Sequence, residues 1–273
     1  MRWNDKAVLE VTTGGIALLL WLLKPARKDR ISMAPFREYD YAHRGYHNIT
    51  EGIPENSMKA FQRAVERGYG MEMDVHLTKD DKLVVVHDDN LKRLCGVDKC
   101  VADCTWEELA SFRLLGTEER IPSLSEVLAL VDGRTPLIIE LKTEKGNYDK
   151  LCREACAMLD SYRGLWCMES FDPRTVRWLK QNRPDIIRGQ LLEHFRRHGT
   201  MIHPAHDFLG RNLFSNFLTK PDFIAYQYKD RECLAVRLVK KLYRVQEVSW
   251  TVKDRKTARR LKKEGCMIIF ENY

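Results

Sequence analysis

The chain has 273 residues and a formal net charge of +7, from 46 Lys and Arg against 39 Asp and Glu. This length suits one large domain or two small ones, because barrels often run to about 250 residues as one unit. The composition is 44% hydrophobic and 31% charged, with only 15 Gly and 9 Pro. Those values exclude collagen-like, disordered and low-complexity chains and indicate a folded protein with a sizeable core.

The basic excess is concentrated at the N-terminus. Seven basic and three acidic residues lie among the first 37 positions, which therefore carry +4 of the total charge. A nucleic-acid-binding domain concentrates Lys and Arg on the surface that touches phosphate, whereas here they flank an apolar segment. We therefore expect a membrane surface, and no nucleic acid, as a partner of this chain.

The apolar segment is Ala7–Leu23, whose 17 residues are near the lower limit for crossing a bilayer. An uncleaved membrane anchor is the favoured interpretation; a cleaved secretory signal and a buried helix of the globular domain are the alternatives. Basic residues are more numerous after the segment than before it, which places the following domain on the cytoplasmic side. The eight cysteines are scattered through predicted helices and strands, as expected for reduced thiols. We thus predict an N-terminal anchor segment over residues 1–37 of a membrane-associated protein.

From residue 38 onward, short β-rich runs alternate with amphipathic helical patterns. Helix starts are marked by capping boxes at Thr105 and Ser123 and by Asp172 before a proline. Alternating strands and helices indicate a parallel sheet covered by helices, and about eight such units favour a closed α/β barrel, the TIM (β/α)8 fold, over residues 38–273. The predicted strands are Tyr39–Ala42, Met71–Leu77, Leu83–Val86, Pro136–Leu141, Leu165–Met168, Ile186–Leu191, Phe223–Tyr226, Val245–Val252 and Met267–Phe270.

Polar side chains cluster where the predicted strands end, which is the face on which barrel enzymes carry their chemistry. Residues two apart on a strand project to the same face, so Glu72 is paired with Asp74, and Glu140 with Lys142. Three acids facing a barrel interior, with water, suit a hard divalent cation. A network of internal salt bridges is the alternative. The convergence of two His, an Arg and a Lys with the acids favours a phosphoester site; these residues are His43, Arg44, His87 and Lys142.

The chain resembles the glycerophosphodiester phosphodiesterase family. The resemblance rests on seven short motifs in register, which extend from about Tyr39 to Tyr273 and cover nearly everything outside the N-terminal segment. They begin at His43 (HRG), Pro54 (PENS), Glu72 (EMDVHLT), Val84 (VVVHD), Ile121 (IPSL), Ile139 (IELK) and Ser249 (SWTV).

This resemblance implies a metal-dependent barrel enzyme that hydrolyses glycerophosphodiesters to glycerol 3-phosphate and an alcohol. It further implies that a neighbouring glycerol hydroxyl acts as nucleophile and forms a cyclic phosphate, which water then opens. By the same resemblance, each matching residue receives a role. His43 and His87 together supply the general acid and the general base, and Arg44 and Lys142 hold the phosphate. Trp250 lines the pocket, and Glu55 orients the catalytic His and Arg. Glu72, Asp74 and Glu140 bind Ca²⁺ or Mg²⁺.

Two other functions stay open. A lysophospholipase D would use the same catalytic residues on lysophospholipids, and a non-catalytic, membrane-tethered barrel would only bind its ligand. The chain departs from the family pattern at its last strand, where the family usually has a Thr-Asp or Thr-Asn pair before a Tyr and Pro and this chain reads CMIIFENY from Cys266 to Tyr273. That departure affects the expected substrate more than the expected activity.

Overall fold

The computed structural model describes residues 14–26, 32–194, 197 and 203–271. Eight parallel strands close into a barrel, because the first strand pairs both with the second and with the last. The third strand is antiparallel to the second and lies outside the barrel as the return arm of a hairpin. The predicted (β/α)8 fold is therefore confirmed. The strands are β1 (Tyr41–Ala42), β2 (Gly70–Leu77), β3 (Leu83–Val85), β4 (Leu137–Leu141), β5 (Trp166–Ser170), β6 (Arg188–Leu192), β7 (Phe223–Gln227), β8 (Gln246–Val252) and β9 (Met267–Phe270).

Helices cover the outside of the barrel and connect its strands. Both predicted capping boxes are present, and Asp172 caps its helix ahead of Pro173. The helices are α1 (residues 14–23), α2 (Met58–Glu66), α3 (Lys92–Cys95), α4 (Trp106–Ser111), α5 (Leu124–Val131), α6 (Tyr148–Leu159), α7 (Pro173–Asn182), α8 (Pro204–Arg211), α9 (Asn216–Thr219), α10 (Leu234–Leu238) and α11 (Arg255–Lys263).

The interior of the barrel changes from apolar to acidic along the strands. On β4, Ile138 belongs to the apolar cluster inside the barrel, while its neighbour Ile139 packs outward against the helices. Two residues further on, Glu140 shares the face of Ile138 because side chains alternate along a strand. Phe36, on a 3₁₀ turn before β1, is fully buried in the same interior cluster. The apolar layer thus fills the amino end of the barrel and leaves the carboxyl end for polar groups.

The N-terminal segment lies against the barrel where the structure describes it. Leu23 is buried in an apolar cluster with β7 and α10, and its carbonyl accepts a hydrogen bond from Asn216 Nδ2 (3.1 Å). No helix among the described residues is long and apolar enough to cross a membrane. Residues 7–13 of the predicted anchor lie outside the described part of the chain, so the anchor and the division at residue 37 stay predictions.

Candidate active site

Three carboxylates meet at the carboxyl end of the barrel. Glu72 and Asp74 point inward from β2, and Glu140 lies on β4 directly opposite Asp74 in the strand register. All three are buried, and one oxygen of each lies within 4.8 Å of the others. The structure therefore brings together the three predicted metal ligands, and their oxygen donors fit a hard cation such as Ca²⁺ or Mg²⁺.

The protonation of these acids reflects an excess of negative charge. Burial, and then the charges of Asp74 and Glu140, raise the pKa of Glu72 well above its ordinary value. Burial also raises the pKa of Glu140. The pKa of Asp74 lies below its ordinary value in spite of burial, because His87 and Lys142 stabilise its charged form. Like charges at this spacing are costly unless a cation lies between them.

A fourth carboxylate, Glu169, faces the same space and is missing from the sequence predictions. It lies on β5 beside Glu140, is 1% exposed, and its Oε2 has no hydrogen-bond partner among the described residues. Burial, with the charges of Glu140 and Asp74, raises its pKa well above the ordinary value. The only signal in the sequence is its position at the end of a predicted strand, since no family motif covers it.

Two cationic side chains enter the acidic cluster. Lys142 Nζ lies 3.1 Å from Glu140 Oε1 and 3.4 Å from Asp74 Oδ1. Arg44 Nε lies 3.5 Å from Asp74 Oδ2. Four buried acids thus face two partly buried cations among the described residues, so the site has an acceptor set that one divalent cation would neutralise.

The loop between β1 and α2 orients Arg44. Arg44 NH1 donates to Glu55 Oε1 (2.6 Å), and Asn56 Nδ2 donates to Asp74 Oδ2 (2.8 Å). Gly45 has φ +78, and a Cβ there would lie 2.9 Å from Ala60 Cβ, so only glycine fits this close approach. The hydrogen bond from Arg44 to Glu55 is the kind of contact that the predicted positioning role of Glu55 requires. Arg44 also contacts Asp74, one of the three predicted metal ligands.

His43 follows β1 and lies between two carboxylates. Its Nε2 is 4.0 Å from Glu72 Oε2, and its Nδ1 is 3.3 Å from Glu271 Oε2. Burial lowers the pKa of His43 to about 4, although the hydrogen bond to Glu271 opposes that shift. The imidazole is therefore neutral near pH 7 and able to accept a proton.

Glu271 is a second residue that the sequence predictions did not include in the site. It follows β9, which closes the barrel next to β1, so its side chain comes beside His43. The hydrogen bond from His43 lowers the pKa of Glu271 to about 2. Its only signal in the sequence is an acidic residue after the last predicted strand, where the chain departs from the family pattern.

His87 reaches the site from the β2–β3 hairpin. The amide of Val86 donates to the Asp74 carbonyl (3.0 Å), which brings the end of the hairpin back over β2. His87 Nδ1 lies 2.7 Å from Asp88 Oδ1, and Arg93 joins Asp88 to Glu55 through hydrogen bonds to both carboxylates. This network fixes the ring of His87 on the same side of the barrel as Arg44.

His76 supports the hairpin from inside. It is fully buried; its Nδ1 lies 2.7 Å from Glu144 Oε1 and its Nε2 lies 3.3 Å from the carbonyl oxygen of His87. His76, Glu144 and Asp89 also have donor atoms within 4.8 Å of one another. Asp89 is exposed, and both ring nitrogens of His76 already have partners, Glu144 and the carbonyl oxygen of His87. We therefore assign this group to the support of His87.

The described contacts join eight of the nine predicted site residues into one network. The ninth, Trp250, lies on β8 and packs against Phe171 (5.6 Å between ring centroids). The Nε1 of Trp250 is buried and has no partner among the described residues. A cleft of about 680 Å³ opens beside the network. Most of its lining is polar and includes Glu55, Arg63, Arg93 and Glu271, with Ile49 and Leu115 among its apolar members.

A closed (β/α)8 barrel with acids, two histidines, Arg and Lys at its carboxyl end defines a barrel enzyme class that acts on phosphate esters. The model of the glycerophosphoryl diester phosphodiesterase family matches residues 43–273. The chain belongs to that family.

Individual relatives agree with this assignment. The chain is 39% identical over 115 residues to a glycerophosphodiester phosphodiesterase of Bacillus altitudinis, which is 40% of this chain and 46% of that enzyme. It is 33% identical over 162 residues to one from Caldanaerobacter subterraneus, covering 56% of this chain and 65% of that enzyme. A lysophospholipase D of Rattus norvegicus is 34% identical over 167 residues, 56% of this chain and 51% of that enzyme. The chain thus spans about half to two thirds of these curated relatives.

Solved structures share the fold over a greater length. The glycerophosphodiester phosphodiesterase of Thermotoga maritima superposes with a TM-score of 0.64 at 26% sequence identity, and the match covers 85% of this chain and 94% of that one. The barrel and its closure are therefore common to both proteins.

Proposed function

We propose that this protein hydrolyses glycerophosphodiesters to glycerol 3-phosphate and an alcohol, with a divalent cation bound at the barrel mouth. The observation that carries the proposal is the excess of four buried acids over the two cations, Arg44 and Lys142, that contact them. A purely structural salt-bridge network would balance its charges, because unpaired buried carboxylates are costly. The names of the family and of its relatives support the same reaction.

The roles of the side chains follow from their charges and positions. Glu72, Asp74 and Glu140 hold the cation, which when bound neutralises charge on the phosphate oxygens. Arg44 and Lys142 are fixed by carboxylates on both sides, so they present positive charge to the phosphate in a fixed position. Trp250 offers its Nε1–H to a hydroxyl of the substrate.

Two histidines exchange protons with the substrate. Neutral His43 accepts the proton of the attacking glycerol hydroxyl, and His87 gives a proton to the departing alcohol oxygen. An oriented intramolecular hydroxyl is worth about 7–11 kcal/mol of barrier, so a Ser or Cys nucleophile is unnecessary. Water then opens the cyclic phosphate with the proton transfers reversed, and one water is consumed overall.

A lysophospholipase D activity is the second candidate, since the rat relative carries that name. Its substrate differs in the acyl chain, for which an apolar channel is needed. The cleft beside the site is mainly polar, which favours a polar alcohol group and a deacylated substrate. The non-catalytic barrel is disfavoured because every residue of the catalytic set is present.

We also propose that the protein is membrane-associated, with the barrel on the cytoplasmic side. The apolar segment and the larger number of Lys and Arg residues on its C-terminal side support this orientation.

A substrate panel tests the proposed reaction. The full chain is incubated with glycerophosphocholine, glycerophosphoethanolamine and lysophosphatidylcholine, in Ca²⁺, Mg²⁺ or chelator, and free glycerol 3-phosphate, lysophosphatidic acid and choline are quantified. We expect metal-dependent release from the deacylated substrates, lost in Glu140→Gln and retained in Glu232→Gln, whose carboxylate is exposed outside the barrel. Release of lysophosphatidic acid alone would establish the second candidate, and no release by a folded protein would favour the binding barrel.

A further inference from the structure

Large exposed apolar side chains are concentrated on one flank of the molecule. Ten such side chains are exposed among the described residues, and only Ile49 and Leu115 lie elsewhere. The other eight belong to α1, α8, α9, α10 and the π-helical turn Val239–Tyr243, which together we name the apolar flank. They are Ile16, Leu18, Trp21, Phe208, Leu209, Leu218, Leu234 and Leu242.

The elements of the apolar flank form one continuous surface. Leu19 and Leu23 of α1 pack in the same cluster as residues of α10 and of the segment between α8 and α9. The ring of Trp21 lies 4.8 Å from that of Phe217 on α9. Tyr243 Oη donates to the Leu20 carbonyl (2.8 Å), which ties the π-helical turn to α1. Trp21 is nevertheless 51% exposed and Leu18 57% exposed, so the cluster leaves their outer faces uncovered.

The exposed charge of this flank is basic. Residues 204–244 contain eight Lys and Arg and four acidic residues. Three of the four acids are buried, which leaves Glu232 as the exposed one. Arg237 and Lys241 are both exposed. The neighbouring helix α11 adds six exposed basic residues and no acid, and Glu264 at its end contacts Arg231 beside α10.

We propose that the apolar flank binds the surface of an anionic lipid bilayer. Apolar side chains bordered by Lys and Arg match the chemistry of that interface, where the apolar groups enter the acyl boundary and the cations meet lipid phosphates. A second copy of this chain is a poorer occupant, because two identical basic surfaces repel each other. A nucleic acid is also a poorer occupant, since it offers nothing to the row of exposed Leu, Ile and Trp side chains.

The flank reaches the end of the barrel that carries the candidate active site. The segment that contains α8 leaves the carboxyl end of β6, and Leu234 follows the carboxyl end of β7. Asp230, after β7, accepts a hydrogen bond from the amide of His194, after β6, so these two connections meet at that end. Binding through the flank therefore brings a side of the barrel that extends up to its mouth against the lipid surface. The proposal does not depend on the hydrolytic reaction.

Vesicle co-sedimentation of the full chain tests the proposal. The vesicles contain phosphatidylcholine alone or equal parts of phosphatidylcholine and phosphatidylglycerol. We expect binding to the anionic vesicles that weakens with added salt. Leu18→Ser/Trp21→Ser should lower the partition coefficient at least about tenfold, and Arg237→Glu/Lys241→Glu should lower it on anionic vesicles by a similar factor. The matched control Ile49→Ser/Leu115→Ser removes the other exposed apolar pair and should bind as the wild type does.

Each opposite result overturns the proposal. Equal binding by the Leu18/Trp21 variant and the wild type would show that the exposed side chains do not enter lipid. An equal loss in the Ile49/Leu115 control would place the lipid contact elsewhere. Dimers in light scattering that the Leu18/Trp21 variant abolishes, with vesicle binding unchanged, would assign the flank to a second copy. Circular dichroism melts confirm that each variant is folded, and the single variant Leu18→Ser provides a milder test.

Discussion

The most informative single residues are those that orient the two histidines. Glu271 holds Nδ1 of His43, so it determines which ring nitrogen faces the substrate. His87 has an analogous contact with Asp88. A carboxylate behind an imidazole fixes its orientation and tautomer and stabilises the cation formed when it accepts a proton.

Replacing Glu271 tests this positioning role. Glu271→Gln should lower kcat by about 100-fold with a small change in KM, because the amide no longer stabilises His43 when it is protonated. Steady-state kinetics with glycerophosphocholine measure the split between kcat and KM. Lys253 pairs with Glu271 at the exposed end, and Lys253→Gln is the control, which should stay within about twofold of the wild type. Equal losses in the two variants would contradict the role of Glu271.

At this scale the sequence predicted most of the site but not all of it. Eight predicted residues form one network because short motifs place them on the inner face of the strands or in the loops that follow them. Glu169 and Glu271 escaped prediction, since a lone acid at a strand end has no partner within its own segment. Their contacts are with residues on other strands. Pairing of β5 with β4 brings Glu169 beside Glu140, and closure of the barrel brings β9, and Glu271 after it, beside β1.

Individual helices follow their local signals closely. The capping box at the start of α5 joins Ser123 and Glu126, and the helix then buries Leu124 and Val127 in the core. The helix α8 begins without such a signal in the sequence. Its N-cap is His203, whose Nδ1 accepts from the Ala205 amide, and histidine is not among the residues that usually mark a helix start.

The cap of α5 gives a prediction for stability. Ser123→Ala removes the acceptor of the Glu126 amide and should lower the free energy of unfolding by about 1 kcal/mol. Ser123→Thr keeps a hydroxyl at the same position and should recover most of that loss. Urea unfolding of the three proteins, followed by circular dichroism, measures the difference. A Ser123→Ala protein as stable as the wild type would show that the cap contributes little to this helix.

On the scale of the whole molecule, a buried ion pair makes the stability of the fold depend on pH. Near the start of β8, Glu247 is 2% exposed and is paired with Arg231 (2.6 Å) and with Lys240. Burial alone would raise its pKa, but hydrogen bonds from Arg231 and Lys240 lower the pKa of Glu247 to about 2. Because the folded value lies below the unfolded one, its stabilisation is complete above about pH 4.5 and is lost as the pH falls through 2.

This carboxylate provides a test of the pH dependence of stability. Glu247→Gln imitates the protonated acid, so it should cost roughly 3 kcal/mol at pH 7, since one pKa unit corresponds to about 1.4 kcal/mol. The difference between wild type and variant should shrink progressively below about pH 4.5. Urea unfolding at pH 7, 4 and 3 measures it. A difference that does not change with pH would contradict the assignment of the low pKa to this ion pair.

The architecture as a whole was predictable, because about eight strand-helix units leave few topologies other than a closed barrel. The place of the N-terminal segment was not predictable from its composition. Leu19 and Leu23 find partners on α10 and near α9, which are about 200 residues away in the sequence, and a hydropathy pattern carries no information about such contacts.

The most direct test of the central claim is the turnover of glycerophosphocholine by the wild type and by His43→Ala, at neutral pH with Mg²⁺ or Ca²⁺ and with chelator. We predict steady release of glycerol 3-phosphate by the wild type, which stops in chelator and falls by at least about 100-fold in the variant. A folded His43→Ala protein with wild-type turnover, or turnover that persists undiminished in chelator, would contradict the account of this site.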